Sequence, residues 1–219
     1  MFHALTHIGT GSTLMLGSGL FWTLTYILII RRGFLDQTYG VPLVALCINI
    51  SWEFIFSFVY PPGGAQHVVN IIWFSLDAII FFTLLRYGPR EFADLSKAAF
   101  YVMVGLALVT TFCTVLFMTN EFDPHGAYSA FIDNVLMSTL FIAMLYARKS
   151  LRGQSLSIAV SKMLGTGMAS LAVYLYSPLS EDSVLLPFLF VAIFVIDFIY
   201  LGMVAWKRFE VSREPSTTI

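Results

Sequence analysis

Residues Cys47 to Pro62 read CINISWEFIFSFVYPP. One carboxylic acid, Glu53, stands in an apolar run that stops at two prolines. A run of this kind crosses a bilayer more readily than it folds in water. An ionisable group near the middle of a span costs roughly 2.5–3.5 kcal/mol on insertion scales, so it faces a protein interior or a wet cavity and marks a candidate functional site.

The whole chain supports a membrane reading. Of 219 residues, 58% are hydrophobic and 11% charged, with mean hydropathy +0.82, against about a quarter charged in ordinary soluble domains. Spanning a hydrocarbon core takes about 20 apolar residues. Seven stretches meet that length: Gly9–Ile30, Val41–Tyr60, His67–Leu85, Ala99–Met118, Ala127–Tyr146, Ser157–Tyr176 and Val184–Trp206. YPPGGAQ, RYGPRE, EFDPHG and YSPLSED supply turn residues between them. The expectation is an all-α membrane protein, a single seven-helix transmembrane domain over residues 1–209 with a short polar tail at 210–219. The N-terminus lacks the basic flank and cleavage site of a signal peptide, so the first stretch reads as a permanent span. Cys47 and Cys113 both lie in apolar runs and read as small core residues.

Charge placement orients the bundle. Arg31 and Arg32 follow the first span; Arg86, Arg90 and Lys97 the third; Arg148, Lys149 and Arg152 the fifth; Lys207, Arg208 and Arg213 the seventh. The other three loops carry no Lys or Arg. By the positive-inside rule the N-terminus lies outside and the C-terminus in the cytoplasm. Lys162, one turn into the sixth span, is expected to snorkel to the interface. A net charge of -1 gives no indication of a nucleic-acid partner; the partner it implies is the lipid bilayer.

Four acids fall inside spans: Glu53, Asp77, Asp133 and Asp197. On the second helix Asn49, Glu53 and Ser57 recur every fourth residue and form one polar stripe. Asn70, Trp73, Asp77 and Phe81 share a face of the third helix. Asp133 and Asn134 lead towards Ser138 on the fifth. Phe190, Phe194, Asp197 and Tyr200 align on the seventh. Polar groups set among aromatics on four helices describe a pocket in the bundle core. A carboxyl group removed from water favours its neutral form, which makes Glu53 a candidate proton donor, with Asn49 or a tyrosine hydroxyl to steady the carboxylate left behind. For Asp77 and Asp133 a structural hydrogen bond between helices is an equal alternative. Trp22, Trp52 and Trp73 lie deep enough to offer π faces to a cation, although packing alone also accounts for any one of them. A dry aromatic pocket with a proton donor could protonate an isoprenoid and guide its carbocation.

The second-helix region, LDQTYGVPLVALCINISWEFIFSFVYP, resembles that of the small transmembrane terpene cyclases of fungal meroterpenoid and indole-diterpene pathways and their bacterial relatives. It carries DQTYG in the first loop and an NxxWE helix, and VIDFIY in the last helix matches the family's acid with a Tyr three residues on. The resemblance implies an enzyme that protonates the terminal epoxide or alkene of a prenylated, for instance farnesylated, indole or aromatic substrate and closes the polyene into fused rings. Its acids map onto Glu53 and Asp197. Asn49, Asp77, Asp133, Asn134 and Tyr200 are expected to support them, and Trp22, Trp52, Trp73 and Phe194 to line the substrate. The short N-terminus points to a bacterial-type member, so the membrane is either the bacterial cytoplasmic one or the endoplasmic reticulum.

No DDxxD or DxDD run is present, so no cofactor or metal is expected. EFDPHG reads as a solvated turn. His3, His7, His67 and His125 lack metal-ligand spacing. The competing function is a proton-coupled small-molecule transporter, against which no repeat or pair of broken helices is visible. A retinal protein would want a lysine where Asp197 stands.

Overall fold

The computed structural model describes residues 2–213, with side chains from Thr10 to Glu210. The side chains of His3 and His7, and residues 214–219 of the expected tail, lie outside what is described. Seven α-helices follow one another, with no strand among the described residues: α1 (Phe2–Asp36), α2 (Leu43–Phe54), α3 (Gly64–Tyr87), α4 (Lys97–Glu121), α5 (Ala127–Arg148), α6 (Leu156–Tyr176) and α7 (Leu185–Arg213). The last helix thus continues through Arg213, into the stretch read from sequence as tail. Six of the helices are long and apolar enough to cross a membrane.

Helix α2 is the exception, and its sequence explains why. Pro42 stands at its N-cap, and Pro61–Pro62 follow it. Between Ile55 and Val59 it widens into one π-helical turn, so that the apolar helical segment is Leu43–Val59, about 25 Å at 1.5 Å per residue. The wide turn closes with Tyr60 N–H donating to the Ile55 carbonyl at 2.8 Å. The carbonyls of Phe56 and Ser57 would next look to residues 61 and 62, which are prolines and have no N–H. Helix α3 answers both: Asn70 Nδ2 donates to Phe56 O at 3.1 Å and His67 Nε2 to Ser57 O at 2.9 Å. Gln66 Nε2 donates to Asn70 Oδ1 at 2.8 Å and holds that amide in place. Wide turns of this kind cluster at functional sites, and this one begins two residues after Glu53.

Helix contacts close a six-membered ring in the order α1, α6, α7, α5, α2, α3, with α4 outside it against α2. The α1–α6 seam is the most extensive. It closes tightly at Gly165, where a Cβ would sit 2.9 Å from Trp22 Cδ1, and Thr25 and Ser161 hydroxyls meet across it at 2.5 Å. Small and hydroxylic residues let membrane helices approach in this way. Helix α4 turns Phe100, Val104, Thr111 and Val115 inward. Cys47 is buried and Cys113 half-buried, and both are free thiols.

The loops after α1, α3 and α5 come together at one end, as the spacing of basic residues requires. Glu91 takes two hydrogen bonds from Arg148, at 3.0 and 2.8 Å, and one from the Thr38 hydroxyl. Arg152 donates to the Asp36 and Gln37 carbonyls at 3.2 and 3.0 Å, and Asp36 accepts from Gly153 N–H at 2.7 Å. The Arg148 guanidinium lies 4.5 Å from the Tyr39 ring centroid. Burial pushes the Tyr39 phenol above its ordinary range, with Arg148 pulling the other way. The DQTYG loop is therefore part of a seal across the basic end. At the opposite end Asp123 is buried, not solvated: its carboxylate caps α5 by accepting from Tyr128 and Ser129 N–H at 3.1 and 2.7 Å. Donors at a helix N-terminus favour a carboxylate there.

Candidate active site

Inside the ring lies a cavity of about 720 Å³, walled by α1, α2, α3, α5 and α6 and by the loop carrying Pro124, His125 and Gly126. That volume is in the range of ligand pockets, 300–1,000 Å³. Glu53, Asn49 and Trp52 reach it from α2, Trp22 and Tyr26 from α1, Trp73 from α3, and Asp133 and Asn134 from α5. The indole N–H groups of two tryptophans are engaged, Trp52 Nε1 with Gly126 O at 3.0 Å and Trp73 Nε1 with Thr23 Oγ1 at 3.1 Å. These bonds set the tilt of both rings at the cavity wall.

Glu53 sits at the end of a directional chain. Asn49 Nδ2 donates to Asp77 Oδ2 at 2.7 Å and to the Tyr26 hydroxyl at 2.6 Å; Tyr26 in turn donates to Glu53 Oε1 at 2.5 Å. Asn49 Nδ2 stands a further 3.3 Å from the same oxygen. Glu53 Oε2 has no protein partner. One carboxyl oxygen is thus clamped by a phenol, and the other is left without a partner. Asp77 lies behind Asn49 with one oxygen unpartnered and is not part of the wall. Asp133 is 3% exposed, and its Oδ1 has no partner in the protein. It is a second carboxyl group facing the cavity.

The structure reorganises the seventh helix. Its inward residues are Phe190, Ile193, Asp197, Tyr200 and Val204, spaced three and four apart as a helix stripe demands. Phe194, one residue and about 100° of turn beyond Ile193, is 56% exposed and lines a groove between α6 and α7 instead of the cavity. Tyr200 is buried away from the cavity, donating to Gln154 Oε1 at 2.9 Å and packed on Phe141. Asp197 does not line the cavity. It is paired with Lys162, whose Nζ lies 2.8 and 3.0 Å from its two oxygens.

The snorkelling expected of Lys162 does not occur. The side chain is 1% exposed, and its ammonium also donates to Ser138 Oγ at 2.7 Å and Asn134 Oδ1 at 3.3 Å. Asp197 on the neighbouring helix supplies a counter-charge within the bundle, so the lysine need not reach the interface. Breaking such a buried pair by removing one partner typically costs 3–5 kcal/mol.

Sequence reasoning missed two participants. Tyr26, the donor to Glu53, sits four residues after Trp22 on one face of α1, an aromatic spacing that could have signalled it. Lys162 had its signal too, as an isolated cation within an apolar span.

The family of Pyr4-like transmembrane terpene cyclases matches residues 4–208 of this chain. The chain is 34% identical over 164 residues to the Pyr4-family terpene cyclase mfmH of Annulohypoxylon moriforme, covering 72% of this chain and 67% of that protein. To terpene cyclase macJ of Penicillium terrestre it is 33% identical over 166 residues, 68% of this chain and 60% of the relative. Terpene cyclase pyr4 of Aspergillus fumigatus is 29% identical over 163 residues, 72% and 68% of the two chains. No solved structure matches the chain. With the match running through all seven helices, this multi-pass membrane protein belongs to the Pyr4-like transmembrane terpene cyclases.

Proposed function

We propose that this cyclase starts its reaction by proton transfer from Glu53 to the terminal alkene or epoxide of a prenylated indole or other aromatic, a farnesyl chain being the first to try. The observation that carries the proposal is the Glu53 carboxyl group at the wall of an aromatic cavity, one oxygen held by Tyr26 and the other unpartnered. Membership of a terpene cyclase family favours this reading over transport.

The proton leaves Glu53 Oε2. With an epoxide it adds to the ring oxygen as a C–O bond breaks, giving a hydroxyl group and a carbocation. With an alkene it adds to carbon and leaves the cation at the neighbouring carbon. The next double bond attacks, each closure moving the charge along the chain. Loss of a proton from the carbon beside the last cation restores neutrality, so the product is an isomer of the substrate. Asp133, at the wall without a partner, is placed to accept that proton. Tyr26 donates to the carboxylate that forms on Glu53, and Trp22, Trp52 and Trp73 present faces that attract a cation by about 0.5–2 kcal/mol each. The basic end faces the cytoplasm.

Membranes bearing the protein, given farnesylated indole with and without a terminal epoxide, should yield ring-closed products of unchanged mass. Glu53→Gln should abolish conversion while the thermal transition stays within a few degrees of wild type. A deuterium from heavy water on a new C–H bond identifies the alkene route. A folded preparation that converts no prenylated aromatic, or a fully active Glu53→Gln variant, overturns the proposal.

A further inference from the structure

The structure assigns Asp197 to holding Lys162, and through it the amide of Asn134, instead of giving a proton to substrate; this deepens the cyclase reading above and rests on it. Asp197 and Lys162 are positioning residues, and Asn134 is the group that meets substrate.

Position comes first. Helix α7 contributes no residue to the cavity wall, and both oxygens of Asp197 are engaged by the Lys162 ammonium. The edge that Asp197 does present lies in the groove between α6 and α7. Its hydrogen-bonded link to the cavity runs through Lys162 to Asn134.

The ammonium carries the constraint across three helices. Its donors go to Asp197 on α7 and to Ser138 and Asn134 on α5. Ser138 spends its own proton on the Asn134 backbone carbonyl at 2.8 Å, so it faces Lys162 as an acceptor. Asn134 Oδ1 receives both Lys162 Nζ and Thr166 Oγ1 at 3.3 Å. With the carbonyl side of the amide turned to those donors, the NH₂ side is left without a protein acceptor on a residue that lines the cavity beside Glu53 and Asp133. A fixed amide N–H₂ at an otherwise apolar wall fits an uncharged oxygen acceptor on the substrate, an epoxide, hydroxyl or carbonyl oxygen.

The counter-charge has a second consequence. Lys162 Nζ lies 5.9 Å from the ring centroid of Trp22, which itself lines the cavity. A bare ammonium there would oppose a carbocation at the same wall, and Asp197 neutralises it. Loss of Asp197 should thus be damaging for a reason that loss of Lys162 can relieve, which a lost proton donor could not show.

Purified wild type, Asp197→Asn, Lys162→Met, the double variant of these two, Asn134→Ala, and Asn134→Ala combined with Asp197→Asn are compared for turnover of whichever prenylated aromatic wild type converts, alongside thermal unfolding. Asp197→Asn should lose 100-fold or more in kcat/KM, and the double variant should recover at least tenfold over it. Asn134→Ala should raise KM more than it lowers kcat and add little to Asp197→Asn. A folded double variant no better than Asp197→Asn overturns the assignment. Should the double variant fail to fold, the residual activity of Asp197→Asn decides: an unchanged pH profile supports positioning, and a lost limb refutes it. Absence of turnover in wild type strikes the cyclase reading instead. The thermal data then still test the anchor, since strictly additive effects of the two single substitutions would show that no pair holds the helices.

Discussion

Replacing Tyr26 with Phe removes one oxygen atom from a buried site and leaves the ring contacts with Trp22 and Trp73 in place. In the resting enzyme the Tyr26 hydroxyl donates to Glu53 Oε1 at 2.5 Å, a bond worth about 1 kcal/mol net in stability. In the proposed proton transfer negative charge develops on that same carboxyl group, and a preorganised donor aimed at developing charge is worth more: removing one costs about 10²–10³ in kcat, about 2.7–4 kcal/mol. Asn49 Nδ2, 3.3 Å from the same oxygen and deprived of the Tyr26 acceptor, can take over part of the task, so the lower figure, about 100-fold, is the expectation. Stopped-time conversion in detergent, read by mass spectrometry of ring-closed isomers, gives kcat and KM separately. KM should change little, because the hydroxyl is already committed to Glu53 and Asn49. A folded Tyr26→Phe enzyme retaining more than a fifth of wild-type kcat would refute the idea that this phenol stabilises the carboxylate.

Two further outcomes test the architecture. Gly126→Ala should destabilise by about 2–5 kcal/mol, combining a left-handed backbone at φ 69 with a Cβ 2.4 Å from the Phe56 ring; a clear fall in the detergent unfolding temperature is the readout. Asn70→Leu should cost about 1–3 kcal/mol by stranding the Phe56 carbonyl, whereas Asn70→Gln, which keeps a donor, should cost less, as chemical denaturation of the two variants will show.

Much of the molecule was legible because membrane physics writes itself into local sequence. The hydrocarbon length fixes how many apolar residues a span needs, so all seven helices could be placed, their ends off by as much as seven residues where α1 and α7 run on past the apolar stretch. Loop charges grouped the basic loops on one face, and the loops after α1, α3 and α5 do meet at one end through Glu91, Arg148 and Arg152. The Asn49–Glu53 stripe was also readable, since residues four apart on one helix share a face whatever the helix packs against.

Partnerships between helices were not legible in the same way. Lys162 looked like a snorkelling residue until α7 placed Asp197 beside it; Phe194 looked inward until packing chose the stripe through Ile193. Tyr26 lies 27 residues from Glu53, and nothing local ties the two. Periodicity determines which residues share a face, to within about one residue or 100° of rotation. Which faces then meet depends on how each helix is rotated and shifted against its neighbours, and here that is set by close packing at Gly165, by the wide turn before Pro61 and by the ion pair between α6 and α7. By itself the sequence determined a membrane bundle with acids in its core; the tertiary structure alone decided that Glu53 is clamped by a phenol at a cavity wall while Asp197 is spent on a lysine.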